Sequence, residues 1–233
     1  MNAMVLAAGR GTRLASLEPG VPKPLVDIGG EPLLARQLRY LQHNGVGRVV
    51  VNAHHLSEAI EAFAREYRTP DRPELIVVSE PSLLGTAGGV RNALEHLGHD
   101  PFVILYGDVL ISEPLSPMMR AHRESGAAAT LAVYETDDLR DKGVVSVDAG
   151  GRVTGFVERG RFDPGYRGLV NAGLYIVEPS LIADIPAGAV SDFGHDVFPA
   201  ALGRGVHLDT FMLAEPVIDV GTPEALTRAR LHA

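Results

Sequence analysis

Short apolar runs alternate with stretches of helical period through the first half of the chain, and no other feature restricts the fold as much. Residues 4–8, 48–52, 75–79 and 102–106 are rich in Val, Ile and Leu without polar alternation, as strands covered on both faces are. Between them, residues 31–44 set Leu34, Leu38 and Leu41 on one face and stop at Gly45, and residues 56–67 and 86–97 carry the same period. Right-handed crossovers then predict an α/β protein with a doubly wound, mostly parallel, Rossmann-like sheet. Ligands in such sheets bind beyond the carboxyl ends of the strands.

The second half reads differently. Runs at 128–134, 144–147, 153–157 and 169–177 are spaced by turn residues such as Asp148-Ala149-Gly150-Gly151, which predicts antiparallel additions to the sheet or a small β lobe. Helices are expected at 196–202 and 223–231, flanking a strand at 207–213. With 233 residues the chain can bury a substantial core, and residues 1–233 are read as one domain.

Composition excludes several chemistries. The chain has no cysteine, so disulfides, thiolate zinc sites and cysteine nucleophiles are out, and a cytoplasmic location is expected. Neither a signal-peptide pattern nor an apolar run long enough for a bilayer occurs, so a soluble protein is expected. The net charge of -8 gives a nucleic-acid partner no general electrostatic support. Arg10, Arg13 and Lys23 are then a local basic site in an acidic protein, suited to a small anionic ligand.

Those cations belong to Leu6-Ala7-Ala8-Gly9-Arg10-Gly11-Thr12-Arg13-Leu14, with Lys23-Pro24 following. An apolar strand leading to two glycines brings backbone N–H groups close to an anion, and the cations can pair with a polyphosphate. A dinucleotide fingerprint needs a third glycine where Leu14 stands, and a Walker loop needs Ser or Thr after its lysine, where this chain has Pro24. A glycine-rich turn that binds nothing is the plain alternative.

Two acids end apolar runs. Asp108 follows Phe102–Tyr106 and Gly107, and Asp219 lies in Val217-Ile218-Asp219-Val220-Gly221-Thr222. Both suit Mg²⁺, which takes a few carboxylates and completes its shell with water and phosphate oxygens. Asp108 also suits a turn or N-cap, and Asp219 a cap on the helix starting at Pro223. The glycines of Leu84-Gly85-Thr86-Ala87-Gly88-Gly89 would let a flat base lie against backbone, or Thr86 would simply cap a helix. The nine histidines have no metal-binding spacing; most are expected at the surface or behind a site, with His195 either touching a ligand or starting a helix near Asp192.

Taken in order, these motifs resemble the sugar-1-phosphate nucleotidyltransferases, the nucleoside-diphosphate-sugar pyrophosphorylases, over essentially the whole chain. Residues 6–13 with Pro22-Lys23-Pro24 are similar to that family's opening motif, Gly107-Asp108 and Ile218-Asp219-Val220-Gly221-Thr222 to its metal aspartates, residues 84–89 to its base-binding segment, and Asn171-Ala172-Gly173 to its sugar-binding segment. The resemblance implies a Mg²⁺-assisted attack of a sugar 1-phosphate on the α-phosphorus of a nucleoside triphosphate, without a covalent enzyme intermediate. It implies Arg13 and Lys23 as catalytic cations, and Asp108 and Asp219 as metal ligands. Leu6, Ala8, Gly9, Gly11, Thr12, Gly85, Thr86 and Gly88 would bind the nucleotide. Gly143, Glu158, Arg159, Asn171 and Gly173 would line the sugar pocket, the nucleotide half being about 1–110 and the sugar half about 111–233.

One departure stands out. Many relatives continue Phe-x-Glu with Lys-Pro, whereas Phe156-Val157-Glu158 continues with Arg159-Gly160, which keeps the charge and changes its geometry. The form of residues 84–88 is closer to members using GTP with mannose or heptose 1-phosphates. A uridylyltransferase for an amino-sugar phosphate is the alternative, with no room after Asp219 for the β-helix domain of bifunctional relatives. A non-catalytic nucleotide-binding homologue and an NAD-dependent oxidoreductase are the readings from other classes. A homo-oligomer is compatible with all of them.

Overall fold

The computed structural model describes residues 1–9, 20–140, 142–158, 160, 166–215 and 217–231. The first half runs β1 (Asn2–Leu6), β2 (Asp27–Ile28), β3 (Glu31–Pro32), α1 (Leu33–His43), β4 (Arg48–Ala53), α2 (Ser57–Tyr67), β5 (Glu74–Ser79), α3 (Gly85–Leu97) and β6 (Phe102–Tyr106). The second half runs β7 (Val109–Leu110), α4 (Leu115–Ser125), β8 (Ala129–Thr136), β9 (Gly143–Val147), β10 (Val153–Glu158), β11 (Gly168–Val177), α5 (Pro179–Ala183), α6 (Phe198–Gly203), β12 (Leu208–Met212), β13 (Ile218–Asp219) and α7 (Pro223–Leu231).

Strands β6, β1, β4 and β5 lie side by side and parallel, as the unpatterned apolar runs require. Alternate residues of β1 serve opposite faces. Ala3 and Val5 pack with Leu34, Leu38 and Leu41 of α1 and Ile60 of α2, whereas Met4 packs with Val90 and Ala93 of α3 and with Phe198 of α6. Helices therefore cover both faces, and the doubly wound sheet expected from the sequence is present. Burying each of those leucines contributes about 1.5–3 kcal/mol.

The second-half strands extend the same sheet. β11 pairs antiparallel with β8 along most of its length, while its other edge faces β9 at Leu169 and Val170 and β6 from Leu174 to Val177. The partner changes across a register shift between Asn171 and Tyr175, where Gly173 takes a φ of 70°. That irregularity opens the sheet between β9 and β6, at the carboxyl end of β6. β12 runs parallel to β8, and β10 pairs with β9.

Several boundaries differ from the expected ones. β1 ends at Leu6 because the next amide, Ala7 N, donates to the Asn52 side chain. α1 begins at Leu33 because Glu31–Pro32 pairs with Asp27–Ile28 and Pro32 is the N-cap residue. The helix expected from 196 begins at Phe198, after a π-turn over Phe193–Val197. α4, unexpected from the sequence, carries Pro117 in its first turn, where the missing N–H costs nothing. Among the described residues no helix is long and apolar enough to cross a membrane.

Candidate active site

The opening segment and the two acids meet through a small apolar cluster. Val26, Ile28 and Leu33 pack against Val220, Leu226 and Ala229, which fixes the turn Lys23–Leu25 beside β13. Lys23 Nζ donates to Asp108 Oδ2 at 2.8 Å. β13 pairs with β7, opposing Asp219 to Val109, and Val220 N donates to the Asp108 carbonyl at 2.7 Å. Asp219 Oδ1 accepts from Gly221 N, and Thr222 Oγ1 takes the Ala225 amide. Thr222 is thus the cap of α7, and the capping role weighed for Asp219 is not realised. Asp108 takes the turn position weighed for it, between β6 and β7, and its carboxylate accepts from Lys23.

Gly107, the glycine before Asp108, serves a contact between strands. A Cβ there would fall on the Leu6 carbonyl, and Gly107 N donates to the same oxygen at 2.9 Å. The glycine lets the ends of β1 and β6 touch. Gln37, buried on α1, donates through Nε2 to the carbonyls of Tyr106 and Val109 at 2.9 and 2.8 Å, bracing the turn that carries Asp108.

The start of α3 is docked on residues 191–193. Asp192 Oδ1 accepts from Thr86 N and Thr86 Oγ1 at 2.9 and 3.0 Å, and Ala87 N and Gly88 N donate to the Ser191 carbonyl. Thr86 therefore does not cap its own helix; residues 191–192 satisfy the free amides. Gly85, at φ 75°, and Gly88 lack side chains where a Cβ would strike the carbonyls of Ser191 and Ala189. Their bareness serves this contact.

At the other end, β9 and β10 set Gly143 opposite Glu158. A Cβ at Gly143 would lie 2.8 Å from the Phe156 ring, and one at Gly194 would strike Glu158 Oε1, so both glycines wall the Glu158 carboxylate. Asn171 stands at the β11 irregularity. Its Oδ1 accepts from Gly173 N at 2.9 Å, its Nδ2 donates to Tyr175 Oη at 2.6 Å, and Tyr175 Oη donates to Tyr106 Oη at 3.2 Å. Burial pushes both tyrosine hydroxyls well up, so they remain neutral.

These groups line one cavity of about 570 Å³, which brings together Asp108, Asp219, Thr86, Gly143, Glu158, Asn171 and Gly173. Tyr106, Tyr134, Lys142, Asp192, Gly194 and His195 line it as well, roles that the sequence motifs did not assign to them apart from His195. Lys142 Nζ donates to Tyr134 Oη at 3.1 Å. His195 Nδ1 lies 2.8 Å from Asp196 Oδ1, and that hydrogen bond raises its pKa. Other cavities of about 500 and 480 Å³ hold none of the residues read as site residues from the sequence. Among the described histidines His122 is buried, against Thr130, while the others lie at or near the surface as most were expected to.

Leu6, Ala8 and Gly9 lie at and beyond the end of β1, and a Cβ at Gly9 would meet open space. Arg10, Gly11, Thr12, Arg13 and Arg159 lie outside the described residues. Among the described residues no cluster of three or more His, Asp or Glu side chains could hold a metal. Asp108 and Asp219 still fit a hard cation such as Mg²⁺: both are oxygen donors beside the same cavity, and two carboxylates suffice when water and phosphate oxygens supply the remaining ligands.

The family model described as nucleotidyl transferase matches residues 2–233. Mannose-1-phosphate guanylyltransferase 1 of Arabidopsis thaliana is 32% identical over 238 residues, covering 100% of this chain and 64% of the plant protein. UTP--glucose-1-phosphate uridylyltransferase of Synechocystis sp. is 32% identical over 234 residues, covering 95% of this chain and 60% of the relative. The chain thus spans less than two thirds of these relatives' length. Among solved structures, HddC from Yersinia pseudotuberculosis complexed with GMP-PN superposes with a TM-score of 0.84 at 27% identity, covering 99% of this chain and 98% of the other.

Proposed function

The chain belongs to the nucleotidyl transferase family, and we propose that it joins a sugar 1-phosphate to a nucleoside triphosphate, giving a nucleotide sugar and pyrophosphate. A phosphate oxygen of the sugar 1-phosphate attacks the α-phosphorus in line; the new P–O bond forms as the bond to the β-phosphate oxygen breaks, and pyrophosphate carries away the electron pair. The observation that carries this reading is the cavity that Asp108 and Asp219 line together with Gly143, Glu158, Asn171 and Gly173, with Lys23 held against Asp108 at its border.

Such a transfer needs positioning and charge neutralisation rather than a covalent nucleophile. Lys23 offers Asp108 one N–H and keeps its others for phosphate oxygens. Asp108 and Asp219 hold Mg²⁺, which when bound neutralises charge on the phosphates and polarises them. Arg13 is assigned to the triphosphate. Asn171 presents its second amide N–H to a sugar hydroxyl, because Gly173 and Tyr175 already fix the rest of its amide. Glu158 accepts from sugar hydroxyls, and the base of the triphosphate lies against Thr86, which lines the cavity.

GTP with a mannose- or heptose-type 1-phosphate is the preferred substrate pair, supported by the guanylyltransferase name of the Arabidopsis relative and by the GMP-PN in the Yersinia structure. The Synechocystis relative favours a second reading with UTP. The test is pyrophosphate release across a matrix of nucleoside triphosphates and sugar 1-phosphates, with and without Mg²⁺, using Asp108→Asn as control. Release with GTP that needs Mg²⁺ and disappears in the variant is expected. Release with UTP alone moves the specificity to the second reading, and release unaffected by Asp108→Asn removes the role given to that acid.

A further inference from the structure

Outside the cavity, two buried polar side chains tie together the segments assigned to the nucleotide. Asn52, near the end of β4, and Glu80, immediately after β5, are 3% and 4% exposed. Asn52 Oδ1 accepts from Ala7 N at 2.7 Å, Asn52 Nδ2 donates to Glu80 Oε1 at 2.7 Å, and Glu80 Oε2 accepts from Leu84 N at 3.1 Å. The relay runs from the first residue past β1 to the residue before α3. Its middle is closely enclosed, since a Cβ at Gly89 would lie 2.7 Å from both Asn52 Nδ2 and Glu80 Oε1. Glu80 is anchored besides by its own backbone, its N–H donating to the Ala53 carbonyl at 2.7 Å.

The polarity of the relay is determined by its ends. Ala7 and Leu84 both offer N–H donors, so each end of the relay must be an acceptor, and the junction between the side chains must then pair one donor with one acceptor. An amide followed by a carboxylate meets those conditions. Glutamine at position 80 leaves two donors facing each other in every orientation, and aspartate at position 52 leaves two acceptors. A buried carboxylate is costly unless its oxygens are satisfied, and both oxygens of Glu80 are.

We propose that Asn52 and Glu80 are positioning residues that hold the Ala7–Gly9 and Leu84–Thr86 segments at the separation a nucleoside triphosphate needs, one phosphate-facing and the other base-facing. This rests on the function proposed above. Neither side chain lines the cavity, so they act through the backbone amides they hold.

The full chain is tested with Asn52→Asp, Glu80→Gln and the double variant, which restores every pairing with reversed polarity: the new Asp accepts from Ala7 N and from the new Gln, whose oxygen accepts from Leu84 N. GTP and UTP binding are titrated directly, with KM values for both substrates and melting temperatures alongside. Each single variant is expected to weaken triphosphate binding about tenfold, leaving the sugar 1-phosphate KM within about twofold, and the double variant to recover to within about threefold of wild type. If the single variants do not fold, the double variant alone decides: folded protein with near wild-type triphosphate affinity supports the role. Lower melting temperatures with unchanged triphosphate affinity overturn it, as does a folded double variant that fails to bind. Wild-type protein that binds nucleotide with this pattern but releases no pyrophosphate contradicts the proposed reaction while supporting the positioning role; wild-type protein that binds no triphosphate overturns both.

Discussion

Lys23 Nζ and Asp108 Oδ2 lie 2.8 Å apart, joining the turn Lys23–Leu25 to the segment after β6 across 85 residues of sequence. The lysine side chain is 16% exposed and the aspartate 37%, so the pair borders solvent and adds at most about 1 kcal/mol to stability. Its importance is therefore expected in turnover. Lys23→Met and Asp108→Asn should each lower kcat by about 10²–10³ while the melting temperature moves little, and the double variant should lose less than the product of the single losses. Steady-state kinetics beside a melting curve read both; a large melting shift with intact turnover would make the pair structural.

Tyr175 orients Asn171 from below the cavity through the 2.6 Å hydrogen bond to its amide. Tyr175→Phe keeps the ring packing and removes that contact together with the one to Tyr106. The KM for sugar 1-phosphate should rise about tenfold with the triphosphate KM unchanged. Equal rises in both would place the effect outside the sugar pocket.

Gly194 has no room for a methyl group, because a Cβ there meets Glu158 Oε1 and lies 2.5 Å from the Phe156 ring. Gly194→Ala must displace Glu158, so the sugar 1-phosphate KM should increase about tenfold or more. Gly203→Ala, where a Cβ meets nothing within 4 Å, is the control expected to leave kinetics unchanged. Identical behaviour of the two variants would remove Glu158 from sugar binding.

His122 is buried with Nδ1 2.9 Å from Thr130 Oγ1 and Nε2 3.5 Å from Glu178 Oε1. Burial pulls its pKa below the ordinary value of about 6.5, with Glu178 pulling the other way. On acidification the unfolded chain takes up the proton first, so stability that is complete above about pH 6.5 falls as the pH drops toward the folded-state pKa. The slope cannot exceed about 1.4 kcal/mol per pH unit for one proton. Urea midpoints between pH 8 and 5 should fall more steeply for wild type than for His122→Gln. Parallel curves would show that another group governs the acid response.

Local chemistry made the larger elements readable. The run Phe102–Tyr106 is β6 and residues 223–231 are α7, bounds included, because a continuous apolar run and a helical period are properties of neighbouring residues. The motif acids were readable too, since an acid after an apolar run stands at a strand end. Contacts made at long range were not. Asp192 meets Thr86 across 106 residues, and nothing near either residue announces the other. Gln37 looks like any polar residue on a helix, yet its burial under the Asp108 turn decides its role. The glycines were the most ambiguous: bare backbone suits a ligand and a neighbouring segment equally, and at Gly85, Gly88 and Gly107 a backbone carbonyl lies where a side chain would stand.

By itself the sequence determined the class of sheet, the two-faced core and the candidate cations and acids, since periodicity and residue type depend only on the local chain. The tertiary structure alone decided which of them share a cavity. Lys23 reaches Asp108 because the cluster of Val26, Ile28, Val220 and Leu226 holds two distant segments together, and Asn171 faces the same cavity because β11 changes partner at Gly173. Both are consequences of packing and strand pairing between residues far apart, which no local pattern encodes.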